Sequence, residues 1–147
     1  MRRVVWEKVH TVTDWYDGER LGLADYHGQP HLYESRWDDD AGNWAGEHWR
    51  RKKRTSHYWL SPVTPSVFLL AMEDWSIWLR WRSAFDQGQV DLSTHPALPE
   101  DRLRHEEIRD QIGSALDPGR PDAFLVAGQF DLKHVRWAQV APQPDGC

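Results

Sequence analysis

At 147 residues, with 39% hydrophobic and 28% charged side chains, the chain is long enough for one domain with a genuine core. Its 18 basic and 23 acidic residues leave a net charge of −5, which weighs against general nucleic-acid or membrane affinity. No apolar run approaches the roughly 20 residues of a transmembrane helix, and a single cysteine, Cys147, rules out an internal disulfide or a cysteine metal site.

Charge interrupts Met1-Arg2-Arg3-Val4-Val5-Trp6-Glu7-Lys8, so a secretory pattern is missing there and a cytoplasmic location is expected. Val4 to Thr13 is rich in β-branched residues and predicts a strand, and Asp17-Gly18 is a strong hairpin signal. Glu19 to Tyr26 sets Leu21 and Leu23 against Arg20, Gly22 and Ala24, after which His27-Gly28-Gln29-Pro30 turns the chain. A third strand, His31 to Trp37, places His31, Tyr33, Ser35 and Trp37 on one face and Leu32, Glu34 and Arg36 on the other. Together these make a three-stranded N-terminal meander. Residues 38–54 then form a long charged loop, from Asp38-Asp39-Asp40 to Arg50-Arg51-Lys52-Lys53-Arg54, and about 17 residues exceed a normal connection. Thr55 to Leu60 returns as a short strand.

Thr64-Pro65 supplies an N-cap and a proline at the first helical position. The helix over 67–87 carries Trp75, Trp78 and Trp81 at helical spacing, with Glu73, Ser76, Arg80, Ser83 and Gln87 on its polar face. Its apolar arc spans roughly 220°, about twice the stripe of an ordinary surface helix. Such an arc belongs to a central core helix or to a surface shown to a partner, a homodimer included. Pro99-Glu100-Asp101 opens a second helix with the stripe Ile108, Ile112, Ala115 and Leu116, and Asp117-Pro118-Gly119 ends it. Ala123 to Phe130 and Val135 to Val140 alternate as a closing hairpin. The expected fold is a single α+β domain over 1–147: an antiparallel sheet, N-terminal meander plus C-terminal hairpin, packed against two helices.

Four places are candidates for chemistry. Asp74 lies inside the apolar arc, where a carboxylate must be paired, protonated or used. Its functional use is a general acid or an anchor for a cationic ligand; its structural use is a hydrogen bond to an indole or a pairing with an arginine such as Arg82. Asp101 and His105 stand four apart on one helix, the orienting half of an acid–base site, although no serine or cysteine motif accompanies them. At the meander's edge, His27, His31, Tyr33, Glu34, Trp37 and Asp38 mix imidazole and carboxylate. They form no recognised ligand motif, and neither a metal nor a cofactor is expected. The basic run Arg50 to Arg54, near Trp49, Tyr58 and Trp59, has the composition of a single-strand nucleic-acid groove. The chain's acidity makes a solvated loop the simpler account.

Asp14-Trp15-Tyr16-Asp17-Gly18, Gly28-Gln29-Pro30-His31-Leu32-Tyr33-Glu34-Ser35 and His95-Pro96-Ala97-Leu98-Pro99-Glu100-Asp101 resemble a group of small bacterial proteins, over most of the length from Asp14 to about His105. No activity attaches to that group, so the resemblance implies no catalytic residues, and the run at 50–54 is not part of it.

The leading functional expectation is a soluble binding module for a small ligand or protein segment. Tyr33, Trp37 and Trp78 would give apolar contact in an aromatic cleft, and Asp74 and His31 would give polarity. An acid–base enzyme using Asp101–His105 or Asp74 is the alternative, and nucleic-acid binding through residues 50–54 is the third.

Overall fold

The computed structural model describes residues 5–15, 18–36, 56–116 and 120–139. Among them are six strands: β1 (Glu7–Trp15), β2 (Glu19–Tyr26), β3 (Gln29–Ser35), β4 (Ser56–Pro62), β5 (Phe124–Asp131) and β6 (His134–Gln139). Two α-helices, α1 (Pro65–Asp86) and α2 (Arg102–Ala115), lie between β4 and β5 in the chain, with short 3-10 turns at Leu92–Thr94 and Pro99–Asp101. The chain divides into two compact units, Met1–Pro62 with Asp122–Cys147, and Val63–Pro121.

In the first unit every strand pairs antiparallel with its neighbour in sequence, and β6 returns to β1, closing a six-stranded barrel. This overturns the open sheet packed against two helices. Period-two alternation reports which residues share a face, and that face is the same whether a sheet stays open against a helix or curls until it covers itself. Here the sheet covers itself. Val9, Ala24, Tyr33, Tyr58, Leu60, Val126 and Val135 form its core, with Phe124, Phe130 and Trp137 packed against them. Register shifts between Val9 and Thr11 and again between Val12 and Trp15 supply the bends that closure needs.

Two glycines are required by ring packing. Gly22 is the register partner of Tyr33, and a Cβ there would collide with the Tyr33 hydroxyl and the Thr11 carbonyl. Gly128, opposite Trp137, leaves room for that indole and for the Tyr58 ring. Three polar side chains of the barrel interior have hydrogen-bond partners, as burial demands. The Tyr33 hydroxyl donates to the Thr11 carbonyl (3.0 Å), Tyr58 to the Glu19 carbonyl (2.9 Å), and Arg20 Nη1 to Ser35 Oγ (2.9 Å). Burial, then the nearby Glu19 and Tyr58, pushes the Tyr33 phenol well above its ordinary range, so it stays a donor. Burial also raises the Glu19 carboxyl.

The β2–β3 turn is the tight two-residue kind, His27 and Gly28 both having positive φ (53° and 76°) between the paired Tyr26 and Gln29. Glu7 steadies it by accepting the N–H groups of His27 (3.0 Å) and Gly28 (2.7 Å). His27 stacks on Tyr26, ring centroids 4.2 Å apart.

In the second unit, α1 starts as its sequence dictates. Thr64 Oγ1 accepts the Val67 N–H (3.3 Å) and Pro65 occupies the first turn. Val67, Ile77, Trp81 and Ala84 are buried, whereas Leu79 is exposed. The Trp81 indole donates to Thr94 Oγ1 (2.8 Å). Ile77, Ala97 and Ile108 form this unit's own core, flanked by Leu70 and Ile112. The second helix starts later than expected, because Pro99–Asp101 is a 3-10 turn that precedes it.

Candidate functional site

The acidic residue of the tryptophan helix has a partner that sequence spacing concealed. Asp74 Oδ1 accepts the Nδ1–H of His105 at 2.6 Å, joining α1 to α2. Asp101, the expected partner of His105, instead takes a bidentate grip from Arg80 (3.0 and 3.1 Å). Arg82, the expected partner of Asp74, pairs with Asp86 four residues on (3.1 Å). Both Asp74 and His105 stand out in the sequence, and the pairing of Asp74 runs to another element rather than to Arg82. Contact between two helices depends on their relative rotation, which neither helix's own periodicity contains.

A third link completes the clamp. Arg104 donates two 2.7 Å hydrogen bonds to Glu73, and its guanidinium holds the Glu73 carboxyl below the usual carboxylate range. The His105 side chain is 10% exposed and Asp74 25% exposed. Among the described residues no group bonds to His105 Nε2. The carboxylate therefore fixes the orientation of the imidazole through Nδ1 and leaves Nε2 as its other polar atom, the geometry of an oriented imidazole.

The other expected site residues fall elsewhere. Tyr33 is fully buried in the barrel core, and His31, 8% exposed, donates Nδ1–H to the Gln29 carbonyl (2.8 Å) while edging onto Tyr26 and Phe124. Trp78 stacks on Trp75 (4.9 Å) in the helical unit, with Arg82 5.9 Å from its ring centroid. Trp37, Asp38 and Arg50 to Arg54 lie outside the described residues. Among the described residues no cluster of three or more His, Cys, Asp or Glu is placed to hold a metal ion, and no helix is long and apolar enough to cross a membrane.

A groove that sequence reasoning missed opens at the barrel seam. It has a volume of about 1100 Å³, and its walls include Trp6, Lys8, Tyr26, Gln129, Arg136 and Trp137. Among the described residues β1 pairs with β6 at Glu7↔Val135 and Lys8↔His134, while β6 continues to Gln139 along β5. The Trp137 indole N–H ties β6 to β2 at one level by donating to the Asp25 carbonyl (2.8 Å).

The groove's charges are unequally committed. Glu7 holds the β2–β3 turn, and Asp25 Oδ1 accepts from His10 Nε2 (2.8 Å). Arg136 uses its Nε on Gln129 Oε1 (2.8 Å) and lies 5.3 Å from the centroid of the exposed Trp6 ring. That leaves the outer guanidinium nitrogens and the Lys8 ammonium directed to no partner among the described residues. A clue was present in the sequence: Trp6 and Lys8 at the start of one strand, Arg136 and Trp137 in the last. Only the closure brings them together.

No family model, curated protein or solved structure matches this chain.

Proposed function

We propose that the protein is a binding module whose recognition site is the seam groove, and that its ligand carries an anionic group beside an apolar or aromatic body. The observation that carries this is the pairing of Arg136 with the exposed Trp6 ring, at 5.3 Å, beside a groove of about 1100 Å³ whose carboxylates are already spoken for. A wall of rings with a few directed polar groups is the usual form of a ligand site. The guanidinium supplies charge-assisted hydrogen bonds in a fixed plane, and the indole supplies a face for stacking. With one cysteine in the chain, a reducing cytoplasm is the proposed setting.

Anilinonaphthalene sulfonate, a sulfonate on fused rings, is a suitable probe. Arg136→Gln removes the charge while keeping a polar side chain, and the expected result is an increase in dye Kd of about tenfold, corresponding to roughly 1.4 kcal/mol. Trp6→Ala should weaken the dye by a similar factor. Unchanged affinity in both variants, measured by dye fluorescence, would place recognition elsewhere.

The Asp74–His105 pair supports a second reading, acid–base catalysis through Nε2, on the strength of its 2.6 Å contact.

A further inference from the structure

Given the seam groove as the binding site, on which this rests, we propose that the anionic group of its ligand is a carboxylate. It takes the place of the Glu7 carboxylate on the paired N–H groups of His27 and Gly28. The chain itself fills this subsite with a group of the chemistry the subsite selects. Glu7 Oε2 accepts the His27 N–H (3.0 Å) and Glu7 Oε1 accepts the Gly28 N–H (2.7 Å), so two consecutive amides engage both carboxylate oxygens. His27 and Gly28 both have positive φ, a turn in which successive N–H groups build an anion-binding concavity. The cross-strand pairing of Tyr26 with Gln29 closes the turn without either of these N–H groups. Their role is therefore to hold an anion.

Glu7 is placed to be displaced. It reaches the turn from another strand, 20 residues from His27, and both hydrogen bonds lie at the surface, so exchange does not open the barrel core. One carboxylate exchanged for another keeps the same two charge-assisted hydrogen bonds. Preference for the incoming group then comes from what it is attached to. Glu7, His27 and Gly28 share the groove wall with Lys8 and Arg136, which favour a second negative charge over none. Trp6 and Tyr26 line the same groove, and the His27 ring lies nearly parallel to Tyr26 at 4.2 Å, so an aromatic body beside the carboxylate has rings to lie against. Glu7 acts as a tethered competitor. A subsite open about one tenth of the time weakens its ligand about tenfold.

The test uses the full chain, with 2-naphthylacetate as the carboxylate probe and 2-naphthylacetamide as its neutral counterpart. In the unaltered ¹⁵N-labelled chain, naphthylacetate should shift the backbone amide signals of His27 and Gly28, and naphthylacetamide should leave them in place. Calorimetry should show naphthylacetate binding about tenfold tighter to Glu7→Ala than to the unaltered chain. Asp25→Asn removes an equal charge from the same wall without freeing the two N–H groups, and should tighten binding by less than about threefold. The amide signals require no variant, so they test displacement even if Glu7→Ala does not fold. Unmoved His27 and Gly28 amides overturn displacement. Equal tightening in Glu7→Ala and Asp25→Asn overturns it too, the gain then being one of net charge. In both cases the groove stands if Arg136→Gln still weakens naphthylacetate, and falls if it does not. Absence of naphthylacetate binding at millimolar concentration, with the dye still bound in an Arg136-dependent way, overturns the carboxylate subsite alone.

Discussion

Gly128→Ala should lower the stability of the barrel by roughly 2–3 kcal/mol, the upper part of the range for an overfilled core. A Cβ at this position meets the six-membered ring of Trp137 and comes within 3.1 Å of Tyr58 Cδ1. Neither ring has room to retreat. Trp137 already packs edge-on against Tyr58 (5.7 Å) and Phe130 (5.7 Å), and its indole N–H is tied to the Asp25 carbonyl. The added methyl must therefore push the indole into the seam, break that hydrogen bond, or spread β5 from β6. Thermal unfolding followed by near-UV circular dichroism should show a fall in Tm of about 10 °C or more, given the usual several degrees per kcal/mol in a small domain. Gly113→Ala is the matched control. It lies in α2 with nothing within 4 Å of its new Cβ, so the same change there should stabilise by about 0.5–1 kcal/mol through helix propensity. Equal effects at the two glycines would mean that the barrel interior is not packed as described.

Removing the carboxylate of Asp74 should cost roughly 1–2 kcal/mol, because it leaves the Nδ1–H of a nearly buried imidazole without an acceptor. Asp74→Ala and His105→Ala should each destabilise, and the double variant should lose clearly less than the two losses added together. A coupling of about 1 kcal/mol in this cycle is the expected signature of the contact. The neighbouring Glu73–Arg104 bridge makes two hydrogen bonds, yet it stands in solvent and should show little coupling. Dye binding should not change in Asp74→Ala, since the groove belongs to the barrel unit. Loss of dye binding with unchanged Tm would reverse that assignment and return Asp74 to the ligand site first expected of it.

What could be read in the chain was local. Thr64-Pro65 marks a helix start because a hydroxyl that accepts an early N–H and a ring that needs none are both short-range effects. The alternation of His31, Tyr33 and Ser35 correctly groups residues that face one way. The direction of that face was a different matter. In β2 the residues paired with Tyr33 and His31 are the small Gly22 and Ala24, because Tyr33 takes the volume that a larger side chain would fill, while Leu23 is buried as the partner of Leu32. Barrel closure was not legible either. It rests on contacts between residues more than 120 positions apart, Glu7 with Val135 and Lys8 with His134, and no local pattern encodes them. The seam groove follows from that closure, so Trp6 and Arg136 had no reason to be linked beforehand. Asp74 and His105 show an intermediate case, in which burial of a polar group was visible and the identity of its partner was not.

Ten tryptophans make the location of binding directly observable, because each indole N–H gives its own nuclear magnetic resonance signal. The decisive measurement is a titration of the ¹⁵N-labelled chain with anilinonaphthalene sulfonate, following those signals. Recognition at the barrel seam requires the Trp6 and Trp137 indoles to move progressively with dye concentration while Trp75, Trp78 and Trp81 of the helical unit stay still. Movement of the helical indoles with Trp6 and Trp137 unchanged would contradict it.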